Sequence, residues 1–336
     1  MITRRKVNLG VASAAVLMST RGFAQTQPIE LKVSHYNPPN HTCQKYLVAW
    51  GEEVAQLSKG RVKMTIYPSG QLAGGANRQF DSCRNGVVDI ALSIHGATPG
   101  RYSTTELVTL PYASPSAGSS SAIAGRRLSE LAPTYLAAEH QGLKILWMAT
   151  IPPLKFHSRV PLRTIADFKG LKVRYAGVQY RNMLDALGAV PLPVPPPETQ
   201  DALAKGIIDA AIFAYEGAAS FGLDAVIKHS LEPGVSSLTW GVVMNPAKFN
   251  SLPDDIKEII VKTTSLDAAT KFGAAFDEAE LAGKQKLISS DVQITVMAPD
   301  EVEKMKKLLS PQIEAAIVEV EKQGRPGRKF YEAFTK

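Results

Sequence analysis

Gly170-Leu171-Lys172-Val173-Arg174-Tyr175-Ala176-Gly177 is the stretch on which the reading of this chain turns. Leu171, Val173 and Tyr175 alternate with Lys172 and Arg174, the period-two pattern of a strand with one apolar face. Arg174 stands at the carboxyl end, on the other face. In open α/β sheets ligands bind beyond that end of the strands. A guanidinium there offers a rigid fork of donors matched to a carboxylate. Pattern alone leaves a second reading open, a solvated arginine at a strand end.

Strands and helices alternate on both sides of this stretch. After it come a helix over residues 179–187, a strand over 190–194, a helix over 198–205 closed by Gly206, and a strand over 207–213. Before it, residues 29–36 read as a strand broken by Asn37-Pro38-Pro39-Asn40. A helix over 41–58 follows, with Tyr46, Leu47, Trp50, Val54 and Leu57 on one stripe. Then come strands over 62–67 and 87–94 with a helix over 76–85 between them, a helical segment over 117–141 and an apolar strand over 143–151. A further long strand covers 236–244. This alternation predicts an α/β fold with mainly parallel sheets. Two long crossings, near Ile151 and near Val242, predict a hinged pair of lobes.

Ser251-Leu252-Pro253-Asp254 has the form of a capping box opening a long helical stretch towards Leu287. A strand over 292–297 and a charged amphipathic helix over 301–323 end the chain. The expected division is residues 25–151 plus about 243–285 for lobe I, and 152–242 plus about 286–336 for lobe II, with a long helix bridging them.

Arg4, Arg5 and Lys6, the apolar run Leu9 to Met18, and Gly22-Phe23-Ala24 read as an export signal over residues 1–24. The run is too short to span a bilayer. The expected compartment is the periplasm; the two arginines leave general and twin-arginine export both open. Losing Arg4, Arg5, Lys6 and Arg21, with no acid, lowers the formal charge from +7 to about +3. That is too mild to argue for nucleic acid. About 310 residues remain, more than one ordinary core needs. Cys43 and Cys83 invite a disulfide in an oxidising compartment. Topology argues against it: right-handed crossovers from a central first strand put their helices on opposite sheet faces. Two buried or half-buried thiols are expected.

Catalytic motifs are lacking: no Gly-x-Ser-x-Gly, His-Glu-x-x-His, Cys-x-x-Cys or phosphate-binding glycine loop occurs. The histidines are scattered, and the one close pair, His35 and His41, has no carboxylate between its members. No metal or cofactor is expected.

Several segments together resemble the solute-binding subunits of tripartite ATP-independent periplasmic (TRAP) transporters, the DctP-like family. They are Tyr67 through Leu72, Asp167 through Arg174, Leu187 through Val194 with Glu198 through Asp209, and Met244 through Phe249 with Ser251-Leu252-Pro253. The resemblance covers nearly the whole mature chain. It implies a two-lobed flytrap of type II-like periplasmic binding architecture. Such a protein closes on an organic acid and hands it to an ion-driven membrane permease. In the family the arginine ending Gly-Leu-Lys-Val-Arg pairs with the substrate carboxylate, and it maps onto Arg174. The segments Ser34-His35-Tyr36-Asn37 and Ser93-Ile94-His95-Gly96 match stretches that line the family cleft, and Pro196 falls where an aromatic wall is frequent.

Two departures make the expected pocket less polar. Phe213 takes the place of a family asparagine, and Leu154, beside Lys155, takes that of a second arginine. Trp240 is either another aromatic wall or core packing. Glu216 either meets a ligand group or complements its own helix's dipole. The expected function is capture of a small monocarboxylate with an apolar or aromatic body, anchored by Arg174 and shaped by Tyr36, His35, His95 and Phe213. The protein is expected to be a monomer delivering to permease subunits and not an enzyme. The alternatives are an enzyme using His95 or His35 as base with Glu216 as partner, and a ligand-sensing receptor for a kinase.

Overall fold

The computed structural model describes residues 28–118 and 120–336, so the expected export signal lies outside the described residues. Numbered along the chain, the strands are β1 Ile29–His35, β2 Val62–Tyr67, β3 Ile90–Ile94, β4 Lys144–Thr150, β5 Leu154–Ser158, β6 Lys172–Arg174, β7 Val190–Leu192, β8 Ala210–Phe213, β9 His229–Ser236, β10 Thr239–Met244 and β11 Gln293–Val296. They form two sheets, ordered β2-β1-β3-β10-β4 and β11-β9-β5-β8-β6-β7. β1 runs parallel to β2 and β3, and β10 lies antiparallel between β3 and β4. β6 is parallel to both its neighbours, β7 and β8, whereas β5 is antiparallel between β8 and β9. β3 and β10 are buried at every residue, as strands covered on both faces must be.

The chain leaves the first sheet after Thr150, enters the second at Leu154, and returns between Ser236 and Thr239. Residues 236–244, expected as one strand, are therefore split at Ser237-Leu238. The Ser237 hydroxyl donates to the Ile151 carbonyl at 2.5 Å, which ties the two crossings together. β5 and β9 are strands that periodicity did not reveal. β5 is wholly buried yet contains Lys155 and His157, whose polar groups are satisfied by distant partners. β9 carries Glu232-Pro233-Gly234, which reads as a turn.

The stretch from 251 towards 287 is three helices, Pro246–Ser251 at its head, then Asp254–Thr263 and Leu266–Ser289. The capping box does not form. Ser251 ends the first of these helices, its hydroxyl donating back to the Lys248 carbonyl at 2.7 Å. The second begins after Pro253 with no side-chain cap. It ends where the Thr264 hydroxyl donates to the Ile260 carbonyl at 2.7 Å.

Helix Leu266–Ser289 is 24 residues and so about 36 Å long, enough to run along both lobes. Two glycines let it approach backbone to backbone. A Cβ on Gly273 would stand 2.3 Å from the Ser121 carbonyl oxygen, and one on Gly283 would stand 2.6 Å from the Tyr215 carbonyl. The first contact belongs to helix Ser121–Tyr135, which packs on β4, and the second to helix Tyr215–Ser220, which follows β8. The last segment is shared rather than lying with the second lobe throughout. β11 joins the second sheet, but Phe330 and Phe334 of helix Gly327–Thr335 pack with Leu107, Leu128 and Met148 of the first. Cys43 and Cys83 are free buried thiols in different core clusters, as topology predicted.

Candidate ligand-binding site

Arg174 ends β6, whose carboxyl end opens between the two sheets, and it is only 3% exposed. Its Nε donates to the Val194 carbonyl at 3.0 Å and its Nη1 to the Ile212 carbonyl at 3.2 Å. The guanidinium lies 4.3 Å over the Phe213 ring. Burial lowers its pKa from 12.5 to about 10, and Tyr36 and Tyr180 oppose that shift. It therefore stays charged at neutral pH. Among the described residues no carboxylate pairs with it, and a buried cation without an anion is held at substantial cost.

The guanidinium lines a cavity between the two lobes. The first lobe contributes Tyr36, Asn37, His41, Ile94 and Trp240. The second contributes Arg174, Pro196, Ile212, Phe213 and Glu216, and the crossings add Ile151, Leu154 and Leu238. Tyr36 and Trp240 stack in parallel, centroids 5.8 Å apart and 1° between planes. Phe276 of the long helix and Phe221 complete the aromatic wall. Phe213 has room because Gly217 faces it: a Cβ there would be 3.0 Å from the ring. Leu154 lines the cavity while Lys155 turns the other way, into a buried pair with Glu280. Among the described residues, Arg174 is the one lysine or arginine in the lining.

Two expected residues are not part of this lining. Tyr36 faces the cavity, so its neighbour His35 faces away. The His35 Nε2 pairs with Gln44 Oε1 at 2.6 Å, and its Nδ1 accepts the Asn37 N–H at 3.2 Å. Ile94 takes the cavity position at the end of β3, and His95 turns into the first lobe. The His95 Nδ1 lies 3.1 Å from Thr239 Oγ1 and its Nε2 3.1 Å from His140 Nε2, with Phe80 and Tyr102 around the ring. Burial lowers both pKa values, that of His35 to about 4 and that of His95 well below 6.5. Both rings are neutral packing groups, and the proposed base–Glu216 pairing does not exist.

Glu216 lines the cavity but acts on another helix than its own. Its Oε1 accepts the Thr42 N–H at 2.9 Å, the Thr42 hydroxyl at 2.8 Å and the Ser220 hydroxyl at 3.0 Å. Its Oε2 is 3.4 Å from His41 Nε2. A carboxylate from the second lobe thus sits at the N-terminus of helix Thr42–Leu57 in the first, where the dipole favours it. The lobes also meet at Gly96 and Gly177, where a Cβ on Gly96 would be 3.0 Å from the Gly177 Cα. Glu106 Oε1 lies beside that contact, 3.0 Å from where a Gly177 Cβ would be. The cleft is closed in this structure.

Sequence reasoning missed His41, Phe221 and Phe276, and it placed Asn37 in a segment matched to the cleft without giving it a role. Asn37 reads as part of a strand-breaking turn, and Phe276 as one more residue of a buried helical stripe. Their signal was position alone, close to segments already matched to the cleft.

A family model described as DctP, bacterial extracellular solute-binding protein, family 7, matches residues 33–319. The chain belongs to this family. It is a periplasmic solute-binding component of a TRAP transporter, a class that takes up small organic acids together with membrane permease subunits and is not enzymatic. In sequence it is similar to the C4-dicarboxylate-binding periplasmic protein DctP of Rhodobacter capsulatus, 23% identical over 321 residues that cover 93% of each chain. In structure it is similar to a TRAP solute-binding protein of Rhodoferax ferrireducens in complex with copurified benzoate. That match has a TM-score of 0.87 and 27% identity, covering 91% of this chain and 96% of the other. A marine-metagenome TRAP protein specific for aromatic acids, in complex with 3-hydroxybenzoate, also matches with a TM-score of 0.87. Its identity is 27%, over 92% of this chain and 97% of that one. The two-lobed DctP architecture accounts for the two crossings and for the long helix that spans both lobes.

Proposed function

We propose that this TRAP component captures a monocarboxylate with an aromatic body, its carboxylate on Arg174 and its ring among Phe213, Tyr36 and Trp240. The observation that carries the reading is a single buried guanidinium, paired with no acid among the described residues, in the wall of a cavity lined mainly by aromatic and aliphatic side chains. A carboxylate meeting that fork gains charge-assisted hydrogen bonds in a desolvated site. The aromatic walls take up the apolar face of the ligand, at about 25 cal/mol per Å² removed from water. The structural relatives holding benzoate and 3-hydroxybenzoate support the same chemistry.

A dicarboxylate, as bound by the Rhodobacter relative, is disfavoured here. Among the described residues the lining has no second lysine or arginine, Leu154 stands where the family resemblance puts one, and the Glu216 carboxylate stands in the wall. Closure follows from the cavity's composition: a ligand touches both lobes only when they are shut, so binding shifts the hinge equilibrium towards the closed form. A thermal-shift screen against aromatic monocarboxylates, C4-dicarboxylates and sugar acids tests the reading. A ligand at 100 times its Kd adds about 2.7 kcal/mol of stability. Stabilisation is expected with aromatic monocarboxylates; a response confined to dicarboxylates or sugar acids would overturn the proposal.

A further inference from the structure

Among the described residues, thirteen buried side-chain nitrogen or oxygen atoms have no hydrogen-bond partner, and three of them belong to residues lining the cavity. They are Asn37 Oδ1, Asn37 Nδ2 and Trp240 Nε1. Asn37 is fully buried, and it is the one side chain in the set with both its ends unpaired. The loop does not need that side chain for its shape. The backbone does the holding: the Asn37 N–H donates to His35 Nδ1 at 3.2 Å, and its carbonyl accepts the Ser69 N–H at 2.9 Å. Buried polar groups are nearly always paired, and leaving an amide unpaired is costly. An amide offers a donor and an acceptor whichever way it is turned, which suits a hydroxyl, itself donor and acceptor. A second carboxylate would satisfy only the donor, and Glu216 stands in the same wall.

We infer that the ligand is a hydroxylated aromatic acid, and that Asn37, with the Trp240 indole N–H elsewhere in the same lining, is the specificity residue for its hydroxyl. This rests on the carboxylate reading of Arg174. Arg174 follows from the second sheet and Asn37 from the first, so the ligand's two polar groups are read by opposite lobes. A ligand lacking the hydroxyl closes the cleft over an unpaired amide. Sites built around a hydroxyl discriminate against the analogue without it for this reason.

The test is calorimetric titration of the purified protein with benzoate, the three hydroxybenzoates, 3-hydroxyphenylacetate and mandelate, repeated on Asn37→Leu and Arg174→Met. The wild type is expected to bind at least one hydroxylated acid tenfold or more tighter than benzoate. Asn37→Leu should reverse the order, because leucine satisfies benzoate and strands the hydroxyl. Benzoate binding as tightly as every hydroxylated acid, or an Asn37→Leu variant that keeps the wild-type ratio, overturns the inference while leaving the carboxylate anchor intact. Loss of binding to the whole panel, or binding indifferent to Arg174→Met, overturns the anchor and this inference with it.

Discussion

Replacing Arg174 with methionine, close to its apolar stem in length, separates what the guanidinium does for the fold from what it does for the ligand. Its folded pKa of about 10 lies below the ordinary 12.5, so the unfolded chain holds the proton more tightly. That difference corresponds to roughly 3 kcal/mol of destabilisation, present at every pH below about 10 and fading between 10 and 12.5. The substitution relieves this penalty but strips a charged donor from the Val194 and Ile212 carbonyls. Each such bond contributes about 1.5–3 kcal/mol, so the unliganded variant should lose no more than about 3 kcal/mol and stay folded. Binding should fare much worse. Truncating one member of a buried charge pair costs roughly 2–5 kcal/mol, or about 30-fold to several thousand-fold in Kd. Isothermal titration with the tightest-binding aromatic acid, paired with thermal unfolding of the free protein, reads both quantities. The wild-type affinity should be flat from about pH 6 to 9 and fall as pH passes about 10 and the guanidinium loses its proton. A methionine variant binding within threefold of wild type would refute the reasoning.

Three further outcomes follow from contacts between the lobes and along the long helix. Burial, and then Glu139, raise the pKa of Glu106 from 4.5 to about 7, so the folded protein holds that proton more tightly. Its contribution is complete below pH 4.5 and is lost as pH rises towards 7, by roughly 3 kcal/mol. Glu106→Gln should flatten the stability measured by urea unfolding between pH 5 and 8, and an unchanged slope would exclude Glu106 as its source. Glu216→Ala removes the acceptor for the Thr42 N–H and hydroxyl, contacts made across the lobes. It should weaken ligand affinity about tenfold through a more open unliganded form, seen as a larger radius of gyration by X-ray scattering; wild-type affinity and radius together would argue against the latch. Gly273→Ala drives a Cβ to within 2.3 Å of the Ser121 carbonyl oxygen. A loss of at least about 2 kcal/mol in thermal or chemical unfolding is expected, and an unaltered midpoint would mean the two helices are not in backbone contact.

What the sequence made legible was whatever local periodicity or a single strong charge encodes. The alternation around Arg174 located the strand, its end and the proposed anchor. Tyr36, Phe213, Pro196, Trp240 and Glu216 line the same cavity as Arg174. His35 and His95 failed for one geometrical reason: each sits beside the residue that faces the cleft, and a shift of one position reverses the face. β5 was hidden because Lys155 and His157 look like surface residues until Glu280, Ser230 and the Phe213 carbonyl, far off in sequence, are brought to them. Asn37 lay in a segment matched to the cleft, but local pattern gives no sign that its amide ends buried without a partner. Tertiary pairing, or its absence, is not written in local pattern.

The two glycines of helix Leu266–Ser289 also say how the cleft must open. Seated without side chains against Ser121 near one end and Tyr215 near the other, the helix is clamped to both lobes. Separating the lobes therefore flexes the span between the clamps, ten residues or about 15 Å, like a leaf spring. Phe276, which touches the ligand cavity, lies within that span. The ring of the proposed ligand would meet the very element that bends as the lobes part, which couples occupancy to opening at one side chain.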